Sequence, residues 1–404
     1  MSGAANDSAS VGSMRLFNTA TGEMGAVSNS GHLGVYVCGI TPYAAAHIGH
    51  AMVYLTYDLL IRRLRDRGRQ VTLVRNVTDV DDSILEYARE HNLDYADLAA
   101  AEVARFTSEV ARLNIAAPEH EPRATQSIGI TVDLIEELEK AGVTYTVDAD
   151  IYFDSAAIGS FGRLSGYPDT LLLALAKARG GDPGRPRKRH PLDFVLWKTS
   201  GVGEPSWDTK VGVGRPGWHV GCSAMSMNAL GSTIDIHGGG KDLVFPHHEC
   251  KRAISEAVTG GPIVKHWVHT AVVNYAGEKM SKSLGNLVFV GDVLRSCEPM
   301  VLRLALMSHH YRDGFEWDES RLKPARDLLA RLRAAMTGRG GADPRPYVAE
   351  VRSALDDDLD VPRALRAVAE LAASIDQGGT DESAAQGMLT CCGILGIDLS
   401  HDSH

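Results

Sequence analysis

The chain has 404 residues, of which 44% are hydrophobic and 23% charged, with a formal net charge of −10. This length allows two or three domains around a sizeable core, and the composition is typical of a globular protein. The acidic balance argues against a large nucleic-acid footprint, because lysine and arginine supply most phosphate contacts. The sequence contains no apolar run long enough to span a membrane.

The first 13 residues are small and polar and lack the basic and apolar regions of a secretory signal. We expect a disordered tail over residues 1–13 and a cytoplasmic location. The six cysteines form no regular framework, so we expect them to be reduced. Of these, Cys297, Cys391 and Cys392 are predicted to be buried apolar residues.

Residues 14–115 contain a strand–helix–strand pattern. GVYVCGI (34–40) predicts a buried strand, AMVYLTYDLLIRRLRDRG (51–68) an amphipathic helix, and QVTLVRNV (70–77) a second strand. A right-handed parallel βαβ unit is the expected geometry. Ligands of such sheets bind at the carboxyl ends of the strands, where Cys38, the ITP loop and Thr78 fall.

The remaining chain divides into three predicted segments. Residues 116–214 have helix patterns followed by Gly- and Pro-rich stretches, and we interpret them as an insertion between two halves of one sheet. Residues 215–298 return to alternating strands and helices. Residues 299–404 show 3.6-residue apolar repeats that predict a terminal helical bundle. The predicted fold class is α/β, with a Rossmann-like parallel-sheet catalytic domain, an inserted subdomain and a C-terminal helical bundle.

Two short motifs contain residues that can bind phosphate groups. His47-Ile48-Gly49-His50 precedes a helix, where two histidines and free backbone N–H groups can face an anion. Lys279-Met280-Ser281-Lys282-Ser283 can neutralise the charge on a leaving pyrophosphate. Each motif alone is weak, since the first could be a helix cap and the second a solvated loop. Their occurrence together, around a βαβ frame, is the double signature of class I aminoacyl-tRNA synthetases.

Three further residues have metal-ligand chemistry. Cys38 ends the first strand, Cys222 follows Gly217-Trp218-His219, and His247 follows Phe245-Pro246. Two thiolates and one imidazole suit Zn²⁺, and three protein ligands leave one position open for a substrate thiolate. Without further context, the same trio could be ordinary buried core residues.

The longer strings of this chain resemble those of cysteinyl-tRNA synthetases and of the related cysteine:glucosaminyl-inositol ligases of mycothiol biosynthesis. The matching strings are YVCGITPY, HIGHA, RNVTDVDD, PLDFVLWK, GEPSW, GRPGWH, CSAMSM, DIHGGGKDLVFPHHE, GEKMSKSLGN and LDDDLDVPRAL. They run in order from about Arg15 to Asp398. Such a series is highly specific for this superfamily.

The resemblance implies a role for each matching residue. It implies catalysis by His47, His50, Lys279 and Lys282, and zinc binding by Cys38, Cys222 and His247. The implied cysteine site contains Gly39, Thr41, Thr78 and Trp218. The implied ATP and adenylate site contains His47, Gly49, His50, Gly239, Asp242, Lys279, Ser281 and Lys282. The implied cofactors are Zn²⁺ and, as substrate, ATP with Mg²⁺.

Three features favour the ligase branch over the synthetases. The chain ends soon after LGIDL, where synthetases continue into a tRNA-reading domain. The segment ARGGDPGRPRKRHPLD resembles the longer connection of the ligases. Lys251 stands where the synthetases have a glutamate as fourth zinc ligand, and a protonated lysine cannot bind a metal. Pro42 also agrees with the ligases.

The favoured function is therefore activation of L-cysteine by ATP and its transfer to the amine of glucosaminyl-inositol by a monomeric enzyme, with tRNA disfavoured as partner. Ala44 and Gly221 replace acidic residues that both families usually have, which leaves alternatives open. These are a cysteinyl-tRNA synthetase, a cysteine-activating ligase of another pathway, and a non-catalytic protein that binds cysteine or an adenylate. Cys250 is a further possible metal ligand.

Overall fold

The computed structural model describes residues 13–280, 284–338 and 340–400. Its strands are β1 (Arg15–Asn18), β2 (Glu23–Ala26), β3 (His32–Ile40), β4 (Gln70–Val77), β5 (Thr144–Val147), β6 (Asp150–Phe153), β7 (Phe194–Lys198), β8 (Trp207–Thr209), β9 (Gly212–Pro216), β10 (Ile234–Gly240), β11 (Val264–Thr270), β12 (Val273–Tyr275), β13 (Glu278–Lys279) and β14 (Phe315–Glu316). Its α-helices are α1 (Ile48–Asp66), α2 (Asp82–Glu90), α3 (Tyr95–Arg112), α4 (Ile128–Lys140), α5 (Asp169–Ala178), α6 (Trp218–Leu230), α7 (Glu249–Thr259), α8 (Val290–Val293), α9 (Pro299–Met307), α10 (Leu322–Ala335), α11 (Arg345–Asp356), α12 (Val361–Asp376) and α13 (Ala384–Leu395).

The central sheet is parallel and has the strand order β11-β10-β3-β4. Strands β3 and β4 come from the first half of the chain, and β10 and β11 follow the insertion. Both faces are covered, so β3 is buried along most of its length, as all-parallel sheets require. The predicted α/β fold with a split parallel sheet is therefore confirmed.

The segment between β4 and β10 builds a sheet of its own. It is antiparallel, with the strand order β5-β6-β7-β9-β8. The buried side chains of Phe153, Leu196 and Trp197 pack with those of Ile135 on α4 and Ile254 on α7. The sequence did not indicate this sheet, because strands of three to five residues are too short to establish a clear alternation.

The C-terminal helices share one core with the central sheet. Leu60 of α1 and Val35 of β3 belong to the same buried cluster as Leu332 of α10, Val368 of α12 and Leu395 of α13. This arrangement agrees with the predicted helical segment, although the division into separate domains stays a prediction. Within the described part of the chain, no helix is long and apolar enough to cross a membrane.

Candidate active site and metal-binding cluster

The candidate site lies where the strands of the central sheet end. Cys38 stands near the end of β3, Thr78 directly follows β4, and Asp242 follows β10. Because these strands are parallel, their carboxyl ends meet at one edge of the sheet. The pairing of β10 with β3 sets His237 opposite Tyr36, one residue before Val37 and two before Cys38.

The thiols of Cys38 and Cys222 are neighbours, and each shifts the pKa of the other. Asn76 Nδ2 donates to Cys222 Sγ at 3.3 Å, and Thr78 Oγ1 lies 3.8 Å from the same sulfur. Burial and the neighbouring sulfur raise the pKa of Cys38. The hydrogen bond from Cys38 and the charge of Lys251 lower the pKa of Cys222, despite its burial. The pair therefore holds one thiol that readily becomes a thiolate, which is the form that binds metals.

Two histidines complete a cluster around Cys38. His248 Nε2 lies 3.1 Å from Cys38 Sγ, and one donor atom each of Cys38, His237 and His248 lie within 4.8 Å of one another. Both ring nitrogens of His237 are buried without a hydrogen-bond partner among the described residues. Such orphaned nitrogens are uncommon in folded proteins. Sulfur and imidazole donors in this number fit a divalent ion such as zinc.

His247 lies beside this cluster rather than at the sulfurs. Its Nδ1 is 2.9 Å from His219 Nδ1, and its ring stacks on Trp218 with centroids 4.4 Å apart. The structure thus brings the two predicted cysteine ligands together, and it places His248 instead of His247 against Cys38. Burial lowers the pKa of His247 and of His248 well below the usual range, so both rings are neutral and can offer a nitrogen lone pair to a metal ion.

Lys251 and Cys250 occupy different environments on α7. The Lys251 side chain is buried, with Nζ 4.0 Å from the centroid of the Tyr36 ring and 3.9 Å from Cys38 Sγ. It sets a cation beside the thiol pair, where the related synthetases have a carboxylate. Cys250 instead packs in the core of the insertion with Val220 and Ala253. Cys250 therefore belongs to a hydrophobic core other than the one that contains Cys38.

The HIGH motif forms the start of α1. His47 is the N-cap, its backbone N–H donates to His50 Nδ1 at 3.4 Å, and the two rings stack with centroids 3.9 Å apart. Burial, with a contribution from His50, lowers the pKa of His47 to about 2, and burial lowers that of His50 to about 4. A side chain at Gly49 would clash, because an added Cβ would lie 2.8 Å from the His47 ring. The motif therefore presents two neutral imidazoles at the positive N-terminal end of α1.

Asp242 connects two basic residues from distant segments. Its Oδ2 accepts hydrogen bonds from Lys279 Nζ at 3.2 Å and from Arg179 Nη2 at 2.8 Å. Burial raises the pKa of this carboxyl, but Lys279 and Arg179 outweigh that effect and lower it to about 2. Lys279 and Asp242 also act electrostatically on His47. Both signature motifs therefore face one carboxylate, while Ser281 and Lys282 lie outside the described residues.

The other predicted residues lie along the same edge. Gly39 approaches β4 so closely that an added Cβ would fall 1.6 Å from the Asn76 carbonyl oxygen. The Gly239 backbone N–H donates to Tyr57 Oη at 2.7 Å. Thr41 is half-buried in the loop after β3. For both glycines these contacts are structural, and their roles toward a ligand stay predictions.

Three residues at the site were not identified from the sequence. His237 and His248 lie inside the matching string DIHGGGKDLVFPHHE. Because histidine is a common metal ligand, these two residues could have been considered as candidates beside His247. Arg179 begins the basic stretch of the insertion, where arginine is usually solvated. Only the folded chain shows that it reaches Asp242.

The parallel sheet with both signature motifs at its carboxyl edge defines a class I aminoacyl-tRNA synthetase-type catalytic domain. Residues 25–327 match the family model described as tRNA synthetases class I (C) catalytic domain. Among solved structures, methionyl-tRNA synthetase of Mycobacterium tuberculosis matches with a TM-score of 0.63 and 16% identity, covering 90% of this chain and 89% of that one. A leucyl-tRNA synthetase of Agrobacterium radiobacter matches with a TM-score of 0.63 and 11% identity, over 91% and 83%. These likenesses show the fold.

The sequence relatives define the family more narrowly. A protein of Thermobifida fusca named L-cysteine:1D-myo-inositol 2-amino-2-deoxy-alpha-D-glucopyranoside ligase is 45% identical over 392 residues, covering 96% of this chain and 95% of its own. The ligase of the same name from Streptomyces griseus is 46% identical over 392 residues, covering 96% of each chain. The chain belongs to this ligase family and is an enzyme of that class.

Proposed function

We propose that the protein activates L-cysteine with ATP and joins it to the amine of glucosaminyl-inositol. The observation that carries this proposal is the meeting of a thiol pair with the HIGH motif, Asp242 and Lys279 at one sheet edge. The names of the relatives supply the acceptor. Since ATP is abundant and thiols stay reduced in the cytoplasm, the reaction belongs there.

The first step forms cysteinyl-adenylate. A carboxylate oxygen of cysteine attacks the α-phosphorus of Mg²⁺-bound ATP, and the bond to the bridging oxygen breaks as pyrophosphate leaves. The neutral rings of His47 and His50 donate hydrogen bonds to the phosphates without adding a proton. Lys279, together with Lys282 as expected from the sequence, neutralises the charge on the leaving group. Preorganised charges of this kind provide most of the rate enhancement in such reactions.

The second step forms the amide. The neutral sugar amine attacks the carbonyl carbon of the adenylate, the bond from carbon to the phosphate oxygen breaks, and AMP leaves with the electron pair. The amine proton passes to solvent. No covalent enzyme intermediate is needed, because AMP is already a good leaving group. Thr41, Thr78 and Trp218 are proposed to hold the cysteine during both steps.

We further propose that Cys38 and Cys222 hold a zinc ion together with one or more histidines. A zinc ion with an open coordination position offers a site for the substrate sulfur, which selects cysteine over serine. The sequence predicts His247 as the third ligand, whereas the proximity of donors around Cys38 favours His237 and His248. The contacts around Cys38 support a mixed sulfur and imidazole site.

The metal proposal is tested by zinc analysis of purified single variants. Cys222→Ser should lose most of the bound zinc, and His247→Ala, His248→Ala and His237→Ala decide which ring binds it. Cys250→Ala is the matched control, because Cys250 packs in the core of the insertion and should retain about one zinc per chain. Full zinc in both Cys222→Ser and Cys38→Ser would refute the site.

The catalytic proposal is tested by mass spectrometry of products from ATP, Mg²⁺ and cysteine with either glucosaminyl-inositol or tRNA. The expected product is the cysteinyl amide of the amino sugar together with AMP. Serine in place of cysteine is the control for selection and should give no amide. Efficient charging of tRNA without amide would favour a synthetase, and absence of ATP–pyrophosphate exchange would favour a binding protein.

A further inference from the structure

A cleft of about 350 Å³ opens between the central sheet and the insertion. It lies beyond the end of β4, beside the first turn of α3 and the short turn Ala124–Gln126, with β8 of the insertion on its far side. Its size is in the range of small-molecule sites. The lining residues are Asp79, Tyr95, Ala96, Ala99, Arg123, Thr125, Gln126 and Trp207.

The cleft presents polar groups that the rest of the described chain leaves free. The guanidinium of Arg123, the amide of Gln126 and the hydroxyl of Tyr95 form no side-chain hydrogen bond or ion pair within the described part of the chain. Tyr95 and Trp207 also contribute aromatic rings to the lining. Aromatic faces with nearby donors and acceptors suit a polyhydroxylated ring, whose C–H face packs on the aromatic ring while its hydroxyls form hydrogen bonds.

The wall of the cleft is held rigid by one side chain. Asp79 Oδ1 accepts from the Thr125 backbone N–H at 2.9 Å, and Asp79 Oδ2 accepts from Thr125 Oγ1 at 2.6 Å. Each carboxylate oxygen keeps a further lone pair that can accept from a ligand. The carboxylate is buried, so its position is fixed before any ligand binds.

The cleft also adjoins the proposed cysteine site. Asp79 directly follows Thr78, whose hydroxyl lies 3.8 Å from Cys222 Sγ. Trp207 packs against the buried cluster that contains Cys222 and Met225. The cleft and the thiol pair therefore share neighbouring residues, Thr78 with Asp79 on one side and the Cys222 cluster with Trp207 on the other.

We propose that this cleft binds the amino-sugar acceptor, with its hydroxyls on Arg123, Gln126 and Tyr95 and a ring face on Trp207. This inference rests on the proposed function, because it assigns a place to the second substrate of that reaction. The cleft takes a neutral, hydroxyl-rich sugar. An anion that binds Arg123 alone is the competing occupant.

The test separates acceptor binding from cysteine activation. Arg123→Ala and Tyr95→Phe are assayed for amide formation at varied glucosaminyl-inositol with saturating ATP and cysteine, and for ATP–pyrophosphate exchange without acceptor. Arg123→Ala should raise the acceptor KM about tenfold or more, and Tyr95→Phe, which keeps the ring, about three- to tenfold. Exchange should stay within about twofold of the wild type, because neither residue contacts the adenylate site. Arg105→Ala, an exposed arginine on α3 that pairs with Glu102, is the control and should leave both assays unchanged.

Each outcome decides between named alternatives. An unchanged acceptor KM in both variants, with amide still formed, would overturn this inference and leave the proposed function intact. Wild-type protein that exchanges pyrophosphate but forms no amide would overturn the proposed acceptor and this inference together. Inorganic phosphate binding that is lost in Arg123→Ala, with the acceptor KM unchanged, would identify an anion site instead.

Discussion

Lys279→Ala tests the role of the phosphate loop. Lys279 is 44% exposed, and its Nζ lies 3.2 Å from Asp242 Oδ2 in a pair that water screens. Breaking a screened pair of this kind costs at most about 1 kcal/mol. Loss of one preorganised donor to a developing charge costs about 3–4 kcal/mol. The difference, about 2–3 kcal/mol, predicts that adenylate formation slows about 30- to 160-fold.

The assay is cysteine-dependent ATP–pyrophosphate exchange, paired with calorimetric measurement of cysteine binding. Cysteine affinity should change by less than about twofold, because the charge acts mainly on the transition state. Lys241→Ala is the matched control, since it removes an exposed lysine next to Asp242 that is not paired with that carboxylate in the described chain. An unchanged exchange rate in a folded, zinc-loaded Lys279→Ala protein would remove this lysine from the mechanism.

Other predictions follow from buried groups. The pKa values of His50, about 4, and of His47, about 2, lie below the value of an unfolded histidine. Both rings should therefore stay neutral above about pH 5. NMR spectra should show no titration of either ring between pH 6 and 8. Their contribution to stability is complete above pH 6.5 and is lost as the pH falls toward 4, because only the unfolded chain then binds protons. Arg303→Met should lower the free energy of unfolding by about 2–4 kcal/mol in urea titrations. It removes the 2.6 Å pair with Asp58, which keeps Arg62 as a partner, and leaves the buried carbonyls of Leu113 and Leu395 without this donor. A loss below about 1 kcal/mol would contradict this reasoning.

Long apolar segments made the central fold predictable. The strands β3 and β4 have nine and eight residues, and helix α1 has nineteen, which is enough for a clear pattern. The insertion's sheet was missed because its strands are short and depend on packing around Trp197. Helix α13 lies inside the predicted helical segment 299–404, and Cys391 and Cys392 within it are buried as predicted. Cys297 is only half-buried.

The candidate site was predictable where chemistry and motif coincide. The βαβ pattern placed Cys38 at the edge of the sheet, and the family resemblance added Cys222, which reaches the same edge from α6. The choice among His237, His247 and His248 could not be made from sequence, since neighbouring residues on a bent segment point in different directions. At Gly221, where the related families usually have an acidic residue, the structure leaves room for a side chain, because an added Cβ would contact nothing within 4 Å.

The insertion links the two halves of the proposed reaction. Its Arg179 reaches Asp242 on the adenylate side, and its Trp207 lines the cleft on the other side of Thr78. By contrast, the residues proposed to activate cysteine belong to the central sheet and the helices that join its strands: Cys38 lies on β3, Cys222 on α6 and the HIGH motif at the start of α1. If the proposed function holds, a change in the insertion's contacts should alter the acceptor without stopping adenylate formation. Such a separation would allow one type of catalytic edge to serve different acceptors, and it is why ATP–pyrophosphate exchange should persist in Tyr95→Phe, which changes only the cleft.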